Sequence, residues 1–285
     1  MFINHELRLP VELSLQYYND NLHRKCFSTH VQNNIELLLI REGGLEVSLN
    51  DRVVSLEKGD IIVFNPFDKH YGALPEGMHF GCYYCLTFAP GYFLHSLPFG
   101  AAERLNAVIG GSARFVSVIP AGDAQASVLR EQFPHMLRLS RQYGILSETR
   151  CIARCFTLLC ELLGRYYTND IGSANRNFAF IRRVIDYVAE HYREPLSTAS
   201  ICEVLAYDKS YFCRRFRESF GTTFSDYLCR YRVERAAEQR GKPGLSLTDI
   251  AGQAGFTDYA YFSRSFRKYM NVPPRQYFSA GKLQP

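Results

Sequence analysis

Several features of membrane and exported proteins are missing from this sequence. Its apolar runs all fall short of the roughly 18 residues that a membrane-spanning helix needs. Residues 1–10, MFINHELRLP, lack the basic and then apolar layout of a signal peptide. The nine cysteines are odd in number and irregularly spread, which does not fit a disulfide framework. We therefore expect a cytoplasmic protein with reduced thiols.

Positive charge is unevenly distributed along the chain. From residue 176 onward there are 18 Lys and Arg against 11 Asp and Glu, a net charge of +7. The first 175 residues carry 15 against 17, a net charge of −2. A near-neutral half joined to a basic half suggests that the basic half binds a polyanion. Charge alone does not separate this function from a basic surface that only aids solubility.

A break in the pattern near residues 166–178, YYTNDIGSANRNF, divides the chain in two. Before it, short apolar runs separated by turn signals predict an antiparallel β-sandwich or β-barrel. These runs are IELLLIR (35–41), LEVSLN (45–50), RVVSLE (52–57), DIIVF (60–64) and FGCYYCLTF (80–88).

Helical periodicity follows the predicted strands. From about residue 124 to 167 the pattern indicates two helices on either side of RQYGILS, with the first broken or kinked near Pro134. After the break every periodic stretch is helical. We therefore predict an N-terminal β-barrel domain with flanking helices at 1–170, a linker at about 168–177 and an all-α domain at 178–285.

Two stretches of the all-α half are near copies, SYFCRRFRESF (210–220) and AYFSRSFRKYM (260–270), offset by 50 residues. A helical projection puts phenylalanine on one side of each copy, Phe212 and Phe216 in the first and Phe262 and Phe266 in the second. Small and cationic residues lie on the opposite side: Ser210, Cys213, Arg214 and Arg217, then Ala260, Ser263, Arg264 and Arg267. Each copy therefore predicts a short helix with a free basic face.

The repeat extends upstream, where LSTASICEVLAY (196–207) matches LSLTDIAGQAGF (245–256) at an offset of 49. In both, a serine or threonine near the start can cap a helix. A helix, a tight turn and a second helix with a basic outer face form a helix-turn-helix unit. A plain helical bundle is the alternative, but two copies with outward arginines in a half with net charge +7 favour DNA binding.

Between the copies, residues 223–240 predict one helix of about 17 residues, which spans roughly 25 Å at 1.5 Å per residue. Neighbouring major grooves on one side of B-DNA are about 34 Å apart. With the flanking helices added, such a spacer can place two reading helices in adjacent grooves. This explains why one chain carries the same short helix twice.

Residues 178–280 resemble the DNA-binding half of the AraC/XylS-type transcription regulators, which has two helix-turn-helix units joined by a helix. DIAGQAGFTDYAYFSRSFRKYMNVPPRQYF (249–278) matches the signature of that family, with Pro273 and Pro274 stopping a helix and Tyr277 and Phe278 able to pack back. The resemblance implies base-edge contacts at Ser210, Cys213 and Arg214 and at Tyr259, Ala260, Ser263 and Arg264. It implies phosphate contacts at Arg217 and Arg267.

The stretch EKGDIIVFNPFDKHYG (57–72) is similar to the cupin-like arm of the same family, in which a small effector binds inside a β-barrel. IREGG (40–44) resembles the IRGxG of arabinose-responsive members, which implies Arg41 as a binder of hydroxyls or carboxylates. The same comparison implies Tyr71, Tyr83 and Cys85 as pocket positions. Aromatics with one arginine suit a sugar, although the tyrosines fit a barrel core equally well. Cys85 stands where those members have an aromatic, which counts against arabinose itself.

A metal-binding cupin enzyme is the alternative for this half. Gly59, Pro66 and His70 roughly follow the second cupin motif, but the first motif needs an HxH pair and a glutamate, and no such pair exists among the eight histidines. A single imidazole does not hold a catalytic metal. We therefore expect no metal site, no cofactor and no catalytic residue.

The resemblance implies a sequence-specific regulator of double-stranded DNA, an activator that works with RNA polymerase under the control of a small effector. A constitutive DNA-binding protein whose barrel only dimerises, and a barrel enzyme fused to a DNA-binding tail, stay open. We also expect a homodimer through the helices of 124–167, whose apolar residues exceed what one small barrel obviously covers, unless both helices pack on their own barrel. Those residues include Ile152, Phe156, Leu159 and Leu162.

Overall fold

The computed structural model of the protein describes residues 11–19, 25–141, 145–171, 177–240 and 244–279. The chain divides into two compact units, Met1–Phe178 and Ala179–Pro285. The predicted linker lies beside this division, and its residues 172–176 lie outside the described residues. No helix in the described ranges is long and apolar enough to cross a membrane.

The first unit is built on antiparallel β-strands. Its longer strands are β1 (Val11–Asn19), β2 (Lys25–His30), β3 (Ile35–Glu42), β4 (Gly44–Leu49), β5 (Arg52–Glu57), β6 (Ile61–Phe64), β7 (His70–Ala73) and β8 (Phe80–Phe88). Two-residue strands follow, β9 (Arg114–Phe115), β10 (Val118–Ile119) and β11 (Tyr167–Thr168). One sheet has the order β1-β8-β3-β6-β10 and a second has the order β2-β7-β4-β5, while β11 pairs with β9.

Three α-helices accompany the sheets in the described part of the first unit: α1 (Phe99–Gly110), α2 (Ser127–Ser140) and α3 (Ile145–Arg165). They cover one face of the first sheet and form what we call the helix-facing core. The other face of that sheet meets the second sheet in what we call the barrel core. The barrel core includes Tyr18, Leu38, Ile40, Leu45, Val47, Leu49, Leu56, Ile62, Phe64 and Tyr83.

Strand β3 is buried on both faces, which explains its nearly continuous apolar run. Ile35, Leu37 and Leu39 belong to the helix-facing core, whereas Leu38 and Ile40 belong to the barrel core. Successive side chains of a strand alternate between its faces, so both cores draw on the same six-residue stretch.

The five predicted strand runs correspond to β3, β4, β5, β6 and β8, and the two predicted helices to α2 and α3. The first of these helices is not broken at Pro134, because α2 runs through this residue, and a kink there stays a prediction. The apolar residues that suggested a dimer interface pack within their own unit. Leu159 and Leu162 are fully buried in the helix-facing core, and Ile152 and Phe156 pack against it.

The second unit is helical throughout its described regular structure. Its helices are α4 (Phe178–His191), α5 (Thr198–Leu205), α6 (Lys209–Phe220), α7 (Phe224–Ala237), α8 (Leu247–Gln253), α9 (Tyr259–Met270) and α10 (Pro274–Ser279). The spacer helix α7 has 14 residues rather than the predicted 17, because its last turn ends at Ala237. At 1.5 Å per residue it is about 21 Å long.

The end of α9 also differs from the prediction. Asn271, in the left-handed conformation, ends this helix, and Pro274 begins α10 rather than stopping a helix. Proline is favoured in the first turn because the amide hydrogens there have no intrahelical partner. The predicted back-packing is confirmed, since the Tyr277 and Phe278 rings lie 5.3 and 5.7 Å from the Phe266 ring.

The turns inside the two repeats share one backbone conformation but have different residues in it. Both reverse the chain through a left-handed position, occupied by Ala206 (φ 58°) after α5 and by Gly255 (φ 86°) after α8. This conformation costs a residue with a Cβ atom about 1–2 kcal/mol of free energy, whereas glycine adopts it without that cost. A Cβ on Gly255 would also lie 2.5 Å from the carbonyl oxygen of Tyr192.

We predict that substitutions at these two positions change stability in opposite directions. Ala206→Gly should raise the free energy of unfolding by up to about 1 kcal/mol, because glycine avoids the cost of the left-handed conformation and the exposed methyl group contributes no packing. Gly255→Ala should lower it by about 1–3 kcal/mol. Urea unfolding followed by circular dichroism measures both, and a stabilising Gly255→Ala would contradict the role of this turn.

Candidate nucleic-acid interface

The repeated helices α6 and α9 begin at equivalent aspartates. The Asp208 carboxylate accepts hydrogen bonds from the backbone amides of Ser210 and Tyr211, at 2.9 and 3.0 Å. The Asp258 carboxylate does the same for Ala260 and Tyr261, at 2.8 and 3.2 Å. These caps satisfy amide hydrogens that have no partner inside the helix and fix where each helix starts.

The preceding helices also share a cap. The Ser197 side chain accepts from the amide of Ser200 at the start of α5, and the Ser246 side chain accepts from the amide of Asp249 at the start of α8. In both, the third residue bonds back to the capping serine, which is a capping box. The sequence repeat is thus a repeat of cap, helix, left-handed turn, cap and helix.

The faces of α6 and α9 divide as the helical projection predicts. Phe212, Phe216, Ser219 and Phe220 of α6 are buried, as are Phe262 and Phe266 of α9. The predicted contact residues lie on the other side. Ser210, Arg214, Arg217, Tyr259, Ala260, Arg264 and Arg267 are exposed, and Cys213 and Ser263 are partly buried.

Several other basic side chains of the second unit have partners within the protein. Arg230 pairs with Glu234 at 2.8 Å, and Lys268 pairs with Asp226 at 3.2 Å. Within the described ranges, no ion pair involves Arg214, Arg217, Arg264 or Arg267. Exposed guanidinium groups without an acidic neighbour leave a positive potential that attracts a polyanion.

One arginine of α6, Arg215, instead contacts aromatic side chains of its own unit. The Arg215 guanidinium lies 4.8 Å from the Phe180 ring centroid and donates to the Tyr211 hydroxyl at 2.7 Å. Its neighbour Arg214 lies 5.8 Å from the Tyr211 ring centroid, on the exposed side. Adjacent arginines on this helix therefore have separate roles.

The spacer helix α7 packs against both repeats. The Tyr227 ring lies 5.7 Å from the Phe216 ring and 5.0 Å from the Phe220 ring of the first repeat. Val233 is fully buried in a cluster with residues of the second repeat. The other members of that cluster are Cys229, Ala236, Ala237, Ile250, Ala251, Ala254, Phe256, Phe262 and Phe266.

Arg232 of α7 also holds the chain segment between α4 and α5. Its guanidinium donates to the carbonyl oxygens of Tyr192 and Glu194, each at 2.7 Å. We call these two hydrogen bonds the Arg232 clamp. Gly255 lies against the same Tyr192 carbonyl, so the turn of the second repeat packs on the segment that the clamp holds. The spacer helix therefore fixes the segment that leads into the first repeat, and the turn of the second repeat packs against that segment.

The four residues predicted for an effector pocket do not lie together in the first unit. Tyr83 is buried in the barrel core and Cys85 packs against it, but Arg41 and Tyr71 are exposed. Arg41 lies between Ile40 and Glu42, where the pairing of β3 with β8 shifts its register, and its side chain is exposed. A single interior pocket made of all four is therefore not what the structure shows.

The barrel core contains a polar cluster that the sequence analysis did not find. His30, Glu36 and His70 come from three strands, and one possible metal-ligating atom of each lies within 4.8 Å of the others. The argument from a single imidazole is therefore wrong, because pairing of β2 with β7 sets His30 opposite His70. A lone glutamate inside the apolar run IELLLI was the available signal.

Two families match this chain. Residues 12–102 match the family described as "AraC-like ligand binding domain", and residues 201–280 match the family described as "Helix-turn-helix domain". Together they cover more than half of the chain. Each match lies inside one of the two units.

Curated relatives and solved structures agree with these matches. The HTH-type transcriptional activator RhaR of Escherichia coli O1:K1 / APEC is 27% identical over 263 residues, which cover 90% of this chain and 89% of RhaR. An uncharacterized HTH-type transcriptional regulator of Staphylococcus aureus (strain MSSA476) is 33% identical over 132 residues, 46% of this chain but only 17% of that protein. The structure of ToxT from Vibrio cholerae is 16% identical, with a TM-score of 0.50 over 96% of this chain and 100% of ToxT, and shows the same fold.

We predict that the Arg232 clamp matters for stability more than a surface pair on the same helix. Arg232→Ala should lower the free energy of unfolding by about 2–3 kcal/mol, because two carbonyls lose charge-assisted hydrogen bonds. Arg230→Ala breaks only an exposed pair with Glu234 and should cost at most about 0.5 kcal/mol. Equal losses in urea unfolding of the two variants would contradict the clamp.

Proposed function

This chain belongs to the AraC/XylS family of transcription regulators, and we propose that it reads specific DNA sites with the exposed faces of α6 and α9. The observation that carries this proposal is the repetition, 50 residues apart, of an exposed arginine face on two helices that one spacer joins. Any single basic helix is compatible with nonspecific surface charge. Two equivalent faces on one rigid spacer fit the regular repeat of the major groove.

The residues on these faces divide into two roles under this proposal. Arg214 and Arg264 lie near the middle of their helices and contact guanine O6 and N7, which a guanidinium fork matches. The smaller side chains Ser210, Cys213, Ala260 and Ser263, together with Tyr259, contact base edges beside them. Arg217 and Arg267, one turn from the helix ends, contact phosphates and set the position on the duplex.

We further propose that the chain is an activator, controlled by a small effector in its barrel. RhaR, which aligns with nine-tenths of this chain, is named a transcriptional activator, and this supports a contact with RNA polymerase. Tyr83 and Cys85 are the proposed effector contacts that reach the barrel core, and a sugar is the proposed class because aromatic rings stack on sugars. We also propose a homodimer. The apolar residues of α3 do not support it, because they pack within their own unit.

A constitutive regulator, whose barrel binds no effector, is the second candidate. The barrel core favours it in one respect, since Tyr18, Phe64 and Tyr83 pack there with little exposure. Binding of the full chain to its DNA site, measured with and without a panel of sugars, separates the two. An affinity or reporter output that no sugar changes would favour the constitutive regulator.

We predict that the two central arginines specify bases. A site is first selected from random-sequence DNA with the parent protein. Arg214→Ala and Arg264→Ala should each weaken binding to that site by about 1–3 kcal/mol and relax the preference at one base position. Arg182→Ala, which removes one charge from the i,i+4 pair with Asp186 on α4, is the matched control and should have little effect.

Variants at the flanking arginines give the contrasting result. Arg217→Ala and Arg267→Ala should weaken binding to all sequences alike and reduce the slope of log K against log salt by about 1. If the central variants bind the selected site as tightly as the parent protein, the assignment of base contacts fails. Circular dichroism of each variant separates this result from misfolding.

We predict that the effector response depends on the barrel core and not on Arg41. In a reporter strain, Tyr83→Phe should raise the sugar concentration at half response about 5- to 10-fold, the effect of one lost hydrogen bond of about 1 kcal/mol. Tyr71→Phe makes the same change at an exposed ring and should leave the curve unchanged, as should Arg41→Ala. Loss of the response in Arg41→Ala, with DNA affinity intact, would place the effector at the surface instead.

A further inference from the structure

Three strands of the first unit direct titratable side chains into one end of the barrel core. His30 ends β2, His70 begins β7, and the two are directly opposed across the strand pair, with ring centroids 4.2 Å apart. Glu36 of β3 faces them. The side chains of Glu36 and His70 are 8% and 1% exposed, whereas His30 is 22% exposed and connects the cluster to solvent. DNA recognition uses none of these three residues, and the proposed effector contact Cys85 touches the cluster only through its thiol, which donates to Glu36.

The backbone fixes which nitrogen of each imidazole faces the carboxylate. His30 Nδ1 lies 2.9 Å from the Ser28 carbonyl oxygen, and His70 Nδ1 lies 2.9 Å from the Asp68 carbonyl oxygen. A carbonyl only accepts, so both Nδ1 atoms carry the proton. In a neutral ring Nε2 then carries a lone pair. These lone pairs point toward Glu36 Oε2, at 3.6 Å from His30 and 3.4 Å from His70.

This arrangement lacks a positive charge at its centre. The Glu36 carboxylate accepts hydrogen bonds from the Gln32 side-chain amide at Oε2 and from the Cys85 thiol at Oε1, and such donors favour the ionised form. The carboxylate is thus an anion that faces two nitrogen lone pairs. His70 Nε2 is buried and has no hydrogen-bond partner within the described ranges. A buried polar atom without a partner is costly, which points to a missing ligand.

Either two protons or one metal ion can supply the charge. Two protons would create imidazolium rings 4.2 Å apart in a largely buried site, where like charges repel strongly. One metal ion would meet both lone pairs and the carboxylate at once. Ligands at about 2.1 Å from a tetrahedral ion are about 3.4 Å from each other. The two separations from the histidines to Glu36, 3.6 and 3.4 Å, agree with this value, and the three ligand atoms all lie within 4.8 Å of one another.

The surroundings hold the three side chains in place, as the outer shell of a metal site does. Asp68, whose carbonyl accepts from His70, is itself fixed by the Asn65 amide and by Arg114, each at 2.9 Å. The Phe64 ring stacks on His70 with centroids 3.8 Å apart. Glu36 accepts from the Gln32 side chain at Oε2 and from the Cys85 thiol at Oε1.

We propose that His30 Nε2, His70 Nε2 and the Glu36 carboxylate bind one divalent transition-metal ion inside the barrel. Two imidazoles and one carboxylate suit Zn²⁺, Co²⁺, Ni²⁺ or Fe²⁺ rather than Mg²⁺ or Ca²⁺. Three protein ligands leave a coordination position for water or another small oxygen ligand. Ion binding here does not depend on DNA recognition, so the two proposals fail separately.

Metal uptake by the full chain tests this site. The protein is treated with a chelator, dialysed and titrated with Zn²⁺, Co²⁺ and Ni²⁺, and bound metal is measured by mass spectrometry. We expect one ion per chain, a Co²⁺ spectrum of nitrogen and oxygen ligands, and a higher urea midpoint with metal, because a ligand of the folded state stabilises it. Mg²⁺ at the same concentration should produce none of these effects.

Variants locate the ion. Glu36→Gln, His30→Gln and His70→Gln should each weaken binding about 100-fold or more, since changes in the outer shell alone cost about 10- to 100-fold. His95→Gln changes an exposed histidine of the same unit and should bind as the parent does. Urea unfolding without metal shows which variants fold. If His70→Gln does not fold, the metal affinities of Glu36→Gln and His30→Gln decide whether the cluster binds the ion.

Three results would overturn the proposal. The parent chain could take up none of the three ions, or uptake could be unchanged in both Glu36→Gln and His30→Gln. Nitrogen NMR of the chelated protein at neutral pH could also show both rings as imidazolium, with no change on adding metal. That last result would mean that two protons, and not an ion, hold the cluster together.

Discussion

Burial of the spacer helix α7 on two sides is the constraint on which the DNA-reading half depends. Tyr227 packs on the phenylalanines of α6, and Val233 packs in the cluster that contains the phenylalanines of α9. A helix in water buries one stripe, whereas this one has apolar contacts around much of its surface. The two recognition helices therefore share one support. Displacing either of them exposes apolar surface of α7, at about 25 cal/mol per Å².

Local chemistry made much of this half predictable. Helical periodicity assigned the buried and exposed sides of α6 and α9, because a residue's face depends only on its distance along the helix. Serine caps indicated the starts of α5 and α8, because a cap bonds to backbone only a few residues away. The length of α7 was overestimated, since no residue before Gly241 signals where its last turn ends. The role of Arg232 was not predicted, because its carbonyl partners lie 38 and 40 residues away.

The barrel was less predictable where function depends on pairing between strands. Runs of apolar residues located β3 to β6 and β8. The histidine cluster, however, depends on the pairing of β2 with β7, which the sequence pattern does not show. A motif search looks for ligands at short spacing, and here the ligands stand at positions 30, 36 and 70. Arg41 lies where the pairing of β3 with β8 shifts its register between Ile40 and Glu42. Its face could not be predicted from alternation, because one extra residue in a strand reverses the face of the side chains around it.

In both halves, charged or polar groups without a partner indicate a ligand from outside the chain. The kind of ligand differs, because one set of groups is exposed to water and the other is buried. On α6 and α9, cations without acids are exposed to water, where screening leaves only a weak attraction per charge. Such charges act collectively and suit a polymer of phosphates. In the barrel, an anion faces lone pairs with little water present, so the electrostatic cost is large and local. One small cation with two charges meets that need, and an extended partner cannot enter.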